Sequence, residues 1–225
     1  MENLSAFDII GPAMVGPSSS HTAGAVRIGL AAFHLFGGIP ATVRVELHGS
    51  FAATGKGHAT DRALVAGLLG WNSDDERLKT SLESAEAAGM QVHFAEVDLG
   101  EDAHPNSVRL TLSKANSDVC KIIGASLGGG VIDIRRVDEF ETNFSGSLPT
   151  LAVWHADRPG FLSKLTTVLA CAEVNIATIR TSRKHRAEDA FTVVETDGMI
   201  PEDCRSVIAR ITSVHRLRQL PRLTD

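Results

Sequence analysis

From residue 150 onward, apolar segments follow one another in a single order. Periodicity predicts a strand over 151–155, a helix over 161–172, strands over 175–180 and 190–196, a helix over 202–212 and a strand over 214–220. Few topologies accommodate that order, because short connections and right-handed crossovers leave the βαββαβ arrangement of a ferredoxin-like unit. Phe161, Leu165, Val168 and Leu169 give the first helix its core face, and Pro159 and Gly160 punctuate its start. Such a sheet carries helices on one face, so its exposed strand edges are expected to pair with a second copy of the chain.

A chain of 225 residues with 43% hydrophobic content has room for a second core before that unit. Residues 138–149 lose periodicity and gather Asp, Glu, Asn, Ser, Gly and Pro, which places a boundary there. The expectation is an α/β (α+β) chain: a mixed α/β domain over 1–140 and a ferredoxin-like domain over 150–225. A net charge of -5, with acids and bases interspersed, argues against nucleic acid or an anionic membrane as partner. A small molecule or another protein fits better. No segment approaches the length of a membrane span, and the start carries Glu2 and Asp8 without an apolar run, so a cytoplasmic location is expected. Cys120, Cys171 and Cys204 are odd in number, far apart and without C-x-x-C spacing; they read as reduced thiols, and no metal site is expected on this chain.

The polar residues with chemical potential cluster in four places. Gly16-Pro17-Ser18-Ser19-Ser20-His21-Thr22 runs into a helix predicted over 23–36, which carries Val26, Leu30 and Phe33 and stops at Gly37, Gly38 and Pro40. Four hydroxyls and an imidazole at a helix start, where backbone N–H groups are unpaired, suit a carboxylate. The alternative is that Ser20 or Thr22 merely caps the helix. After a strand over 42–48, residues 49–61 read as a glycine-rich turn leading into a helix over 62–69. The spacing is wrong for a phosphate-binding P-loop, because five residues separate Gly49 from Gly55 and Gly57 follows Lys56. The glycines instead let backbone approach a small ligand, and Thr60 or Asp61 caps the helix. Within the turn His58 is the candidate for proton transfer, since an imidazole titrating near about 6.5 is available as a base at neutral pH; a surface or structural histidine is the alternative. An amphipathic cover helix over 75–88 and strands over 91–96 and 107–113 follow. His104-Pro105-Asn106 enters the second strand, with Pro105 as the break and His104 and Asn106 as candidate ligand contacts. In the Gly124-Ala125-Ser126-Leu127-Gly128-Gly129-Gly130 run the three adjacent glycines suggest a tight backbone passage and read as a bulge or turn.

In this order, and followed by a βαββαβ unit, the four motifs resemble the beta chain of bacterial iron-sulfur-dependent L-serine dehydratase over essentially the whole length. The resemblance implies a two-chain enzyme of serine catabolism and gluconeogenesis that converts L-serine to pyruvate and ammonia. A separate alpha chain would carry a four-iron, four-sulfur cluster whose open iron acts as Lewis acid on the hydroxyl, and relatives of this type point to potassium as a further cofactor. His58 matches the family's general base for the α-proton. Ser18, Ser19, Ser20 and His21 match its carboxylate contacts, and Thr22, Lys56, His104 and Asn106 further substrate-site positions. The first part resembles an allosteric substrate-binding domain. The second resembles an ACT domain, which pairs with another copy and binds an amino acid, with Asp157, Gly160, Asn175 and Ile176 at the matching positions. It departs from that pattern at Glu188-Asp189, where such domains often carry Gly-Gly. The rival from another class is a serine sensor that binds without chemistry. A serine hydrolase lacks its Gly-x-Ser-x-Gly elbow at Gly16-Pro17-Ser18-Ser19-Ser20, and a pyridoxal phosphate enzyme would have only Lys56 as an appealing Schiff-base lysine.

Overall fold

The computed structural model describes residue 14 and residues 18–54, 59–114 and 119–224. Ser19–Gly24 winds as a wide π-type turn and continues without a break into helix α1 (Ala25–Phe36). Gly37, in the left-handed conformation, ends α1 with its N–H on Phe33 O. Strand β1 (Thr42–Leu47), helices α2 (Gly49–Thr54) and α3 (Thr60–Leu68), a 3₁₀ turn (Glu76–Thr80) and helix α4 (Ser81–Ala87) follow. Strands β2 (Gln91–Glu96), β3 (Ser107–Ser113), β4 (Val119–Gly128), β5 (Val131–Val137) and β6 (Phe140–Phe144) complete a six-stranded sheet ordered β2-β1-β3-β4-β5-β6. β1 and β2 run parallel, and the remaining pairs are antiparallel.

Alternation in β1 sends Val43, Val45 and Leu47 into the core beneath α1 and α3 and turns Arg44 and Glu46 to the other face. Glu46 lies opposite Arg109 of β3 and accepts two hydrogen bonds from it, at 2.7 and 2.9 Å. Those bonds hold the Glu46 carboxyl below the usual carboxylate range. α1 and α3 cross on a pair of glycines: a Cβ on Gly29 would meet Leu64 O at 2.3 Å, and one on Gly67 would meet Val26 O at 2.1 Å. Only hydrogen fits at that crossing, which sets how closely α1 lies to its neighbour.

The second sheet, ordered β10-β7-β9-β8, is antiparallel throughout and is built from β7 (Thr150–Ala156), β8 (Ile176–Arg183), β9 (Asp189–Thr196) and β10 (Val214–Leu220). Helices α5 (Phe161–Cys171) and α6 (Glu202–Ala209) cover one face over Leu151, Val153, Leu165, Leu169, Val194 and Ile208. The order is the ferredoxin-like one expected from the sequence. Alternate residues of β7 and β9, namely Ala152, Trp154, Phe191 and Val193, point the other way and join the core of the first sheet. Asp138 pins the junction: its Oδ2 accepts from Trp154 Nε1 at 2.8 Å and from the Arg216 guanidinium at 2.7 Å, and that guanidinium lies over the Trp154 ring.

Three segments differ from the sequence expectation. Residues 49–54, read as part of a glycine-rich turn, form α2, because Pro105 O accepts Ser50 N–H at 2.8 Å and anchors the first turn. The single helix expected over 75–88 is divided: Asp75 caps a 3₁₀ turn through Arg77 N, and Thr80, with φ -113, breaks the path before α4. Residues 140–144, expected to be irregular, form β6, which buries Thr142 and Phe144 and leaves Glu141 and Asn143 exposed.

Candidate functional site

The turn ahead of α1 gathers hydroxyls around one imidazole. Ser18 has extended backbone and accepts the His21 N–H on its Oγ at 3.2 Å, so the capping role expected of Ser20 or Thr22 falls to Ser18. The His21 ring is buried, 9% exposed, with Phe51 edge-on at 5.2 Å between centroids. Its Nδ1 lies 3.1 Å from Ser20 Oγ and 3.4 Å from Ser18 Oγ. Its Nε2 lies 3.0 Å from Thr54 Oγ1 and 3.4 Å from Ser50 Oγ. Ser50 and Thr54 stand one turn apart on α2 and face the same way, because side chains four residues apart share a helix face.

The His104–Asn106 loop is drawn to this cluster from both sides. Ser50 N–H bonds Pro105 O on one side; on the other, Ser126 N–H donates to Asn106 O at 3.0 Å and Asn106 Nδ2 reaches Ser126 O at 3.5 Å. His104 Nδ1 accepts the Asn106 N–H at 3.1 Å, which fixes that ring's orientation. Ser126 lies on β4 with its side chain fully buried beneath the π turn, where a Cβ on Gly24 would come within 2.1 Å of Ser126 Oγ. Arg27 of α1, also buried, donates to Gly130 O at 2.6 Å and holds the Gly128–Gly130 hairpin turn beside it. That hairpin is the turn expected of the glycine run, and all three glycines have positive φ.

The structure therefore brings Ser18, Ser19, Ser20, His21, Thr22, His104 and Asn106 to one side of the first sheet. Three hydroxyls there, Thr22 Oγ1, Thr60 Oγ1 and Ser126 Oγ, are buried without a hydrogen-bond partner among the described residues. Lys56 and His58 lie outside the described residues, directly after Thr54 in the chain. Ala59, with left-handed backbone, takes the N-cap position of α3 in place of Thr60 or Asp61, while the Asp61 carboxylate accepts the first-turn Arg62 N–H at 2.8 Å. Ser50, Thr54 and Ser126 were not among the expected site residues. The first two could have been found by their four-residue spacing had residues 49–54 been read as helical.

The expected ACT positions do not gather within one chain. Asp157 and Gly160 line a cavity of about 590 Å³ with His155, Arg158, Arg183 and Arg186. Asn175 and Ile176 sit at the opposite end of the sheet, where Ile176 pairs with Thr196 and Asn175 donates to Asp197. Asp157 is engaged internally: its carboxylate accepts from Arg183 and from Ala187 N, which holds it below the usual carboxylate range, and its N–H bonds Glu188 O. The Glu188-Asp189 departure thus meets the cavity residue Asp157 through the Glu188 carbonyl.

The described residues of this chain do not fit an iron-sulfur cluster. They contain no grouping of three or more His, Cys, Asp or Glu suited to a metal ion. Burial pushes the Cys120 thiol up to about 12, Cys204 is also pushed up by burial, and Cys171 is exposed on another element. No helix among the described residues is long and apolar enough to cross a membrane.

Comparison with known proteins places the chain in a family. A family model described as "Serine dehydratase beta chain" matches residues 5–137, and one described as "ACT domain" matches residues 150–211. The chain is similar to the "Probable L-serine dehydratase, beta chain" of Bacillus subtilis (strain 168), 38% identical over 220 residues that cover 98% of this chain and 99% of that protein. It is 40% identical to the "L-serine dehydratase, beta chain" of Peptoniphilus asaccharolyticus over 208 residues, 92% of this chain and 94% of the other. It is also 30% identical to L-serine dehydratase TdcG of Escherichia coli (strain K12), over 72% of this chain and 39% of that protein.

Proposed function

This chain belongs to the serine dehydratase beta chain family, and from that premise we propose that it is the beta subunit of an L-serine dehydratase, binding serine while a separate alpha chain holds a four-iron, four-sulfur cluster. The observation that carries the reading is the Ser18–His21 turn. Its hydroxyls converge on one side of a buried imidazole and stand at the start of a twelve-residue helix whose dipole favours a carboxylate. Serine offers that carboxylate, and its ammonium and hydroxyl can be met by oxygen acceptors of the His104–Asn106 loop and by Thr22.

The overall reaction removes the α-proton and the β-hydroxyl of L-serine and gives pyruvate and ammonia once the enamine has become an imine and been hydrolysed. His58 is the base for the α-proton in this reading, and Lys56 joins the substrate site. In sequence both lie between Thr54, whose hydroxyl is 3.0 Å from His21 Nε2, and Ala59. Hydroxyls fixed around the carboxylate contribute to stabilising the charge that develops as the proton leaves. The resemblance to two-chain serine dehydratases assigns the cluster to the alpha chain.

The same proposal divides the chain into a dehydratase part over 1–140 and an ACT part over 150–225. A second copy pairing through the ACT sheet would bring Asn175 and Ile176 toward another chain's Asp157 and Gly160 and complete an effector site. Potassium as a further cofactor and a cytoplasmic location complete the proposal. In the assembled two-chain enzyme, His58→Ala is expected to abolish pyruvate formation while the two chains still co-elute on gel filtration. Full turnover in that variant would remove His58 from the role of base.

A further inference from the structure

The helical layer of the second sheet holds two thiols that the dehydratase reaction does not use. Cys171 is the last residue of α5 and is exposed, whereas Cys204 stands in the first turn of α6 and is buried, 6% exposed. Cys204 Sγ donates to Val168 O at 3.8 Å, across the contact between the two helices. Val168 is three residues before Cys171, and residues so spaced are neighbours on a helix surface, with about 5–6 Å between their Cβ atoms. The Cys204 sulfur therefore lies against the turn of α5 that carries Cys171. Burial raises the Cys204 pKa, and the charges of Asp203 and Cys171 act in the same direction, so Cys171 is within electrostatic reach of that sulfur. The start of α6 is lightly held, because Pro201 at its N-cap offers no side-chain hydrogen bond and residues 201–203 are exposed. A shift of that turn toward α5 is what a disulfide requires, with its Cα atoms about 4.4–6.8 Å apart. The third thiol, Cys120, is fully buried in β4 of the other sheet.

We propose that Cys171 and Cys204 are a redox-sensitive pair that closes into a disulfide when a peroxide oxidises it, clamping α5 to α6. Cys171, the accessible thiol, reacts first. Its thiolate attacks one peroxide oxygen; the S–O bond forms as the O–O bond breaks, and the departing hydroxide takes up a proton. The Cys204 sulfur then attacks the sulfenic sulfur of Cys171. The S–S bond forms, the S–O bond breaks, and the oxygen leaves as water with the Cys204 proton. Two thiols and one hydrogen peroxide become one disulfide and two waters, the sulfurs giving up the two electrons that the peroxide gains. Phe161, Leu162 and Ser163, at the other end of α5, line the cavity of about 590 Å³, so the clamp fixes one wall of that cavity.

The test uses the full chain, reduced, freed of reductant and treated with hydrogen peroxide. Thiols counted after unfolding without reductant should fall from three to one, with the chain still a monomer on a non-reducing denaturing gel and its intact mass lower by two hydrogens. Peptide mapping should recover Cys171 linked to Cys204, and dithiothreitol should return all three thiols. In Cys204→Ser the sulfenic acid of Cys171 has no thiol to meet and should be captured by dimedone. In Cys171→Ser, which alters only an exposed side chain, the count should stay at its starting value. A parent chain that keeps all its thiols overturns the proposal. So does one in which Cys171 passes to sulfinic acid or to a disulfide between chains while Cys204 stays free. The parent and Cys171→Ser decide the point even where Cys204→Ser does not fold.

Discussion

Gly24→Ala is the most direct perturbation of the turn, because the structure fixes both the clash and its remedy. Gly24 has helical backbone, φ -62 and ψ -41, so alanine is conformationally welcome there and should gain about 1 kcal/mol over glycine. Against that, the new Cβ would lie 2.1 Å from Ser126 Oγ and 2.7 Å from Ser126 Cβ. Ser126 is a short side chain on a buried strand and has little room to withdraw, so the overpacking cost belongs at the upper end of the usual 1–3 kcal/mol, roughly. The net is about 1–2 kcal/mol of destabilisation, or a fall in Tm of about 2–8 °C for a chain this long. Ser126→Gly removes both close atoms and leaves Ser126 Cα at 3.7 Å, an ordinary contact. Urea denaturation of the parent, both single variants and the double variant should therefore give a favourable coupling of about 1–3 kcal/mol. Serine binding measured by calorimetry should weaken in Gly24→Ala and recover in the double variant. Additivity within about 0.5 kcal/mol would show that Gly24 and Ser126 do not meet as described.

Other outcomes follow from the same structure. Burial lowers the pKa of His155, which stacks on Phe161 and bonds Thr192, so protonation favours the unfolded chain. Its contribution to stability is full above about 6.5 and lost as pH falls below it; thermal melts from pH 7.5 to 5 should show that slope, and His155→Gln should flatten it, His34 leaving a remainder. Asp138→Asn keeps the left-handed backbone at that position but weakens the acceptor shared by Trp154 and Arg216, at a cost of about 2 kcal/mol. In a Trp71→Phe background the emission of Trp154 should report the loss, and unchanged stability would count against Asp138 as the pin between the sheets. Thiol labelling of the native chain at pH 7.5 should modify exposed Cys171 first, with Cys120 and Cys204 protected by burial; early modification of Cys120 in peptide mapping would contradict its placement.

Much of the fold was legible because hydrophobic period and punctuation agreed. β2, β3 and β10 occupy the residues expected of them, and α1 stops at the expected glycine. Two of the failures share a cause, since β6 and α2 each lie where a distant contact decides local structure, whereas the 75–88 helix is divided locally at Asp75 and Thr80. β6 alternates, but its inward positions include Thr142, and the residues around it are turn formers, so the pattern is hidden without β5 beside it. α2 has glycine at its first position and is anchored by Pro105, more than fifty residues away in sequence. The serine and histidine motif was legible as a place where an anion could bind. Its organisation was not, because Thr54 and Ser126 reach it from other elements, one across α2 and one through the floor of the sheet.

The central claim is that this chain holds half of a divided active site. The decisive measurement is anaerobic pyruvate formation from L-serine with this chain alone, the cluster-bearing alpha chain alone, and the two mixed. Pyruvate in the mixture alone is the predicted result. No pyruvate in any tube, with the cluster verified intact and serine still bound by this chain, would contradict it and identify a serine sensor in place of a catalytic subunit.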